Sequence, residues 1–139
     1  KMVEVQSDKV IEALEKIENQ EKMKSAIEKA CLVVETVAKR NCPADTGELR
    51  ASITSSVREE AGNIIGQVGT PLMYGNYVEY GTGLFSSNGL GRKEVPWFYK
   101  DDKTDEWIAT SGEKPQPFLI PALNDNRTVV LEILKEALK

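Results

Sequence analysis

The chain has 139 residues, 40% hydrophobic and 29% charged, with a net charge of −4. That size fits one domain with an appended arm and can bury a core without a metal or disulfides. The composition excludes collagen-like and disordered classes, no apolar run approaches the ~20 residues that span a bilayer, and the acidic surplus argues against general nucleic-acid binding.

Residues 1–6 hold no apolar signal core, so the chain is expected to act in the cytoplasm where it is made or to be packaged from there. From Asp8 to about Arg40 the pattern is helical, with Ser7 or Asp8 as the N-cap. Val10, Ile11, Leu14 and Ile17 recur at helical spacing, and Met23, Ile27, Ala30, Val34 and Val37 form a second series. The two are out of phase, because Ile17 to Met23 is a step of six. Either two helices or one long helix with a rotating buried face is expected, and residues 1–22 read as an arm for a neighbour. Lys22, Lys24, Lys29, Lys39 and Arg40 are interleaved with Glu15, Glu18, Glu21, Glu28 and Glu35, which predicts a solvated face with i,i+4 pairs. Cys31 reads as a small buried hydrophobe. Cys31 and Cys42 would stand about 16 Å apart along such a helix, too far for a disulfide, and free thiols suit a reducing compartment.

Asn41-Cys42-Pro43 ends the helix, and Pro43 to Gly47 is turn chemistry, with Asp45 bonding back and Gly47 taking a positive φ. Leu49 to Glu59, with Ile53, Ser55 and Val57 in alternation, predicts a half-buried strand. Glu60 to Asn63 predicts a hairpin turn, and Ile64 to Thr70 the returning strand, with Gly66 and Gly69 marking a bulge. Met73 to Tyr80 predicts one or two helical turns ended by Gly81. Gly83 to Arg92 is a loop, and Trp97-Phe98-Tyr99 and Trp107 to Thr110 flank a charged tip as a second hairpin. After a loop at 112–116, Pro121, Ala122, Leu123, Val129, Val130, Ile133, Leu134 and Ala137 predict a helix to the end. The order gives an α+β fold: an antiparallel sheet of hairpin strands packed against a long N-terminal helix and a C-terminal helix.

Chemistry is sparse. Histidine is absent, which removes the commonest general base and metal ligand. No P-loop, Gly-x-Gly-x-x-Gly or Cys-x-x-Cys occurs, and Gly89-Leu90-Gly91 is only a glycine-rich loop. The acidic tip of Asp101, Asp102, Asp105 and Glu106 lacks the spacing of an EF-hand loop and reads as solvated; no metal site is expected. Glu79, with Glu48 or Asp45, is the one candidate carboxylate pair. The favoured reading is that Glu79 pairs with Arg50 or caps a neighbouring element. Trp97, Phe98, Tyr99 and Trp107 suit a stacking platform or, more in keeping with large aromatics, a core or subunit contact.

Three segments carry a resemblance. Ala38-Lys39-Arg40-Asn41-Cys42-Pro43-Ala44-Asp45-Thr46-Gly47-Glu48-Leu49-Arg50-Ala51-Ser52-Ile53 resembles a helix-end, turn and strand motif of the phage neck or minor tail (tail-completion) proteins, the family typified by gene product ten of phage Hong Kong ninety-seven. Tyr77-Val78-Glu79-Tyr80-Gly81-Thr82 and Gln116-Pro117-Phe118-Leu119-Ile120-Pro121-Ala122-Leu123 are similar to two further motifs of that family. The resemblance extends from about Ile27 to the C-terminus and leaves out residues 3–22. The motif residues read as fold-setting: Pro43 and Gly47 turn the chain, while Leu49 and Ile53 enter the core. Tyr77 and Tyr80 pack under the sheet, and Pro117 and Pro121 hold the chain extended before the last helix.

The resemblance implies a non-enzymatic structural component of a tailed phage or prophage particle. It would act in head–tail joining or tail completion, residing in the neck or tail after synthesis in the bacterial cytoplasm. It implies no cofactor, other phage head–tail or tail proteins as partners, and a homo-oligomer such as a ring; no membrane or nucleic acid is expected. Residues 1–22 would form the arm and 23–139 the domain, with a variable loop-hairpin at 84–114. Candidate partner contacts are Val10, Ile11, Leu14, Ile17, Trp97, Phe98, Tyr99 and Trp107. The alternative is a small binding module using the aromatic hairpin 96–110 for a peptide, sugar or nucleic acid. A hydrolase built on Glu79 is the poorest fit.

Overall fold

A computed structural model of the chain describes residues 2–44 and 47–139, with side chains from Lys9 onward. The turn roles expected of Asp45 and Thr46 lie outside the described residues. Helix α1 is one continuous element, Met2–Asn41, about 60 Å long. It runs through Ser7 and Asp8, so neither is its N-cap. Its buried stripe begins only at Ala26 and continues through Ala30, Cys31, Val34 and Ala38. The series before the phase change, Val10 to Ile17, is exposed, and the burial follows the second series. Ion pairs join Glu18 to Lys22 at 3.6 Å and Glu35 to Lys39 at 3.9 Å, the expected i,i+4 spacing.

The strand expected from Leu49 starts late. Residues Glu48–Ser52 form a single helical turn, α2, and β1 is Thr54–Glu60. Gly47, in the left-handed region at φ 74°, starts that turn, and its carbonyl accepts the amide of Ala51 at 3.0 Å. The turn sets Leu49 and Ile53 four residues apart in the same core, a spacing that period-two reading takes for strand. β1 pairs antiparallel with β2, Asn63–Gly69, in unbroken register from Thr54↔Gly69 to Glu60↔Asn63. Ala61 and Gly62 both have positive φ, the two-residue turn that matches strand twist.

No bulge occurs at Gly66 or Gly69. Gly66 answers a different need, because α1 crosses β2 there: a Cβ would run into Cys31 Sγ and lie 2.7 Å from Ile27 Cγ2.

Helix α3 spans Tyr74–Tyr80 and a 3-10 turn spans Gly83–Phe85. The second hairpin joins β3, Trp97–Lys100, to β4, Trp107–Thr110. The hairpins form two separate two-stranded sheets, of which β1–β2 packs on α1. The C-terminal helix is divided into α4, Leu119–Asn124, and α5, Arg127–Ala137. The break falls at Asp125 and Asn126, where Asn126 turns its side-chain amide to the Ala122 carbonyl at 2.8 Å instead of continuing the helix. Pro121 thus lies inside the first turn of α4 and is not part of an extended lead-in; amides there have no intrahelical partner to lose.

Helices α4 and α5 both lie against α1. The core between them holds Val34, Ala38, Cys42, Leu49, Ile53, Phe118 and Ala122, edged by Val37, Val68, Leu72, Val78, Leu119 and Val130. The fold is α+β, as the element order implies.

Candidate functional site

The three motifs meet at one place. Leu49 and Ile53 from the first, and Phe118 and Ala122 from the third, are buried in a single cluster with Val78 of the second at its edge. Phe118 is wholly buried. The second motif then grips the start of the third and the loop just before it. The amide of Gln116 donates to the Val78 carbonyl at 2.7 Å, and Thr82 exchanges two bonds with Glu113: its amide to the Glu113 carbonyl at 2.9 Å, and the Glu113 amide to its Oγ1 at 2.8 Å. Gly81 makes the close approach possible, since a Cβ there would lie 2.8 Å from the Glu113 carbonyl and from Pro115 Cδ.

Glu79 completes this clamp. Among the described residues it is the buried charged side chain, 4% exposed. Its Oε2 accepts the amide of Phe118 at 2.5 Å, its Oε1 the amide of Ile120 at 2.6 Å, and the Leu119 amide lies 3.1 Å from Oε1. These are the orphan amides at the start of α4, whose own N-cap position holds Phe118, with no oxygen to offer. Glu79 is therefore a cap supplied from another helix, and both its oxygens are engaged. Of the two roles expected for Glu79, the cap is the one found and the pairing with Arg50 is not: Arg50 Nη2 donates instead to the Cys42 carbonyl at 2.8 Å, tying α2 to the end of α1. Sequence reasoning missed the Thr82–Glu113 and Val78–Gln116 bonds. The missing signal was available in part, because a helix starting at Pro117-Phe118-Leu119 without Ser, Thr, Asp or Asn must borrow a cap.

The second motif's tyrosines depart from expectation. Tyr77 is exposed and Tyr80 half-buried, so Tyr77 does not pack under the sheet. Both thiols are buried and free, and burial pushes each up from the ordinary value of 9.0. Glu35 adds to the rise at Cys31, whereas Arg50 partly offsets it at Cys42. Among the described residues no group of His, Cys, Asp and Glu side chains is placed to hold a metal ion, and no helix is long and apolar enough to cross a membrane.

Two surfaces leave large apolar groups uncovered. Near the start of α1, Val10, Ile11, Leu14 and Ile17 are each 52–59% exposed. On the second hairpin, Phe98 is 64% and Trp107 69% exposed, with Tyr99 beside them. These aromatics are not core. Trp97 is half-buried at the hairpin base, where the Arg92 guanidinium lies 5.4 Å from its ring centre. Between α3, the 83–92 loop and Trp97 lies a cleft of about 930 Å³.

Residues 8–81 match the family model HK97-gp10_like, described as "Bacteriophage HK97-gp10, putative tail-component". The match takes in the first motif and the second as far as Gly81, and it stops short of the third; it also includes residues 8–22, which the motif resemblance leaves out. No curated protein and no solved structure matches the chain significantly.

Proposed function

The chain belongs to the HK97-gp10-like family of bacteriophage tail components, and we propose that it is a non-enzymatic part of the particle that acts in head–tail joining or tail completion. Its work is assembly with further copies of itself, as in a ring, and with other phage proteins. The observation that carries this reading is the division of labour among its side chains. The motif residues hold the fold together, with Glu79 engaged by three backbone amides. Val10, Ile11, Leu14 and Ile17 in the arm and Phe98 and Trp107 on the second hairpin are more than half exposed. Exposed apolar clusters of this kind mark contact surfaces. On this reading residues 1–22 are a packing arm on a domain of residues 23–139, and the 84–114 segment is the variable contact loop. The protein is made in the host cytoplasm and resides in the neck or tail.

Deletion of the gene from an inducible phage tests this directly by electron microscopy of the lysate. Filled heads lying apart from tails, or tails with defective ends, are expected. Normal infectious particles would remove the assignment.

A further inference from the structure

We propose that the cleft between α3 and the base of the second hairpin is a carboxylate receptor, and that its occupant is the acidic tip of the same hairpin on a second copy of the chain. This rests on the assembly reading above and names one of its contacts.

The cleft offers donors and positive charge. Asn76, Tyr77 and Tyr80 line it from α3, Asn88 and Arg92 from the loop, and Trp97 from β3. Arg92 is the charged residue of the lining and has no ion pair among the described residues. Stacking on Trp97 covers one face of its guanidinium and leaves the N–H edges for a carboxylate, the geometry in which arginine binds acids best. The Asn88 carbonyl oxygen is already occupied by Ser86 Oγ at 2.6 Å and the Leu90 amide at 3.0 Å, so its NH2 is left to donate. At about 930 Å³ the cleft accommodates a chain segment rather than an ion.

The tip supplies the complement. Asp101 and Asp105 are engaged locally, Asp101 with the Lys103 amide at 2.9 Å and Asp105 with Lys100 Nζ at 2.9 Å. Asp102 and Glu106 are exposed, and neither has an ion pair among the described residues. The tip cannot enter its own cleft. Trp97 stands at the base of β3 and the tip at its far end, a four-residue strand or about 13 Å away, and the register with β4 fixes that separation. Receptor and occupant are thus different surfaces of one chain, which gives a head-to-tail contact of the type that closes into rings. A single arginine on a chain of net charge −4 does not suit a phosphate backbone, which needs several cations.

The test is sedimentation of the full chain at low and high salt. The wild type self-associates, and salt weakens the association. Arg92→Glu alone and the Asp102→Lys, Glu106→Lys double variant alone remain monomers that still unfold in one cooperative transition. Mixing the two variants restores association, because each cleft then meets a tip of opposite charge. A monomeric wild type, a single variant that associates like the wild type, or a mixture that stays monomeric would each overturn the contact. So would retention of duplex DNA by the wild type that is lost in Arg92→Glu, which would assign the cleft to phosphate. Normal particles after gene deletion remove the assembly reading, whereas failure of the charge swap removes only this contact.

Discussion

The Glu79 carboxylate holds the amide of Ile120 at 2.6 Å across 41 residues of sequence, so one side chain in α3 sets where α4 begins. The same group takes the amides of Phe118 and Leu119, and its negative charge opposes the positive end of the helix dipole. Glu79→Ala leaves three amides at a buried helix start without an acceptor and is expected to cost about 3 kcal/mol. Glu79→Gln keeps one acceptor oxygen and should cost about 1–2 kcal/mol. Urea denaturation reads both as a lowered midpoint at constant slope. An alanine variant as stable as the wild type would mean that solvent caps α4 unaided.

Gly81 and Gly89 provide a controlled comparison. Both have positive φ, 80° and 73°, but only Gly81 has neighbours where a Cβ would go. Gly81 also combines its φ with ψ 175°, a region essentially confined to glycine. Gly89→Ala is expected to cost about 1 kcal/mol, the left-handed penalty alone. Gly81→Ala adds the clash with Glu113 and Pro115 and should cost about 3 kcal/mol. Thermal melts of the two variants separate the effects; equal losses would show that the clamp gives way freely.

Much of this fold is legible in the sequence because its signals are local. Periodicity located α1, the Ala61-Gly62 turn and the second hairpin, and Gly81 ended α3 where expected. The misses come from tertiary context. The α2 turn hides in a stretch that alternates like a strand, because residues 49 and 53 share a face in either conformation. The division of α4 from α5 depends on what Asn126 bonds, not on its neighbours' hydropathy. Glu79 was recognisable as a cap or partner, but its partners lie 39 to 41 residues away and donate through backbone, which no side-chain pattern records. The motif tyrosines misled because an aromatic at helical spacing predicts burial, and Tyr77 faces solvent.

Cys31 and Cys42 predict an alkaline limit. Burial holds both thiols above their ordinary value of 9.0. Below that value the thiols are protonated in folded and unfolded chains alike, and they give stability no pH dependence. As pH rises past 9.0 the unfolded chain loses protons that the folded chain keeps, so stability falls until the folded thiols ionise in turn. Urea midpoints measured from pH 7 upward should decline above pH 9 in the wild type and less steeply in a Cys31→Ala, Cys42→Ala variant. Native thiols should also react slowly with iodoacetamide at neutral pH, since the thiolate is the nucleophile. Rapid labelling of the folded chain would contradict the burial.

The exposed apolar series at the start of α1 offers a test that separates folding from assembly. Replacing Val10, Ile11, Leu14 and Ile17 by glutamine keeps good helix formers in α1 and removes only side chains that are already more than half exposed. Each change should alter stability by no more than about 0.5 kcal/mol. Val34→Ala, in the same helix but inside the core, should cost about 2 kcal/mol because it opens a cavity. If the arm packs on a neighbour, the quadruple variant melts like the wild type yet fails to complement a gene deletion, whereas Val34→Ala melts early and complements at permissive temperature. A quadruple variant that restores normal particles would show that the arm's apolar stripe has no partner, leaving the second hairpin as the contact surface.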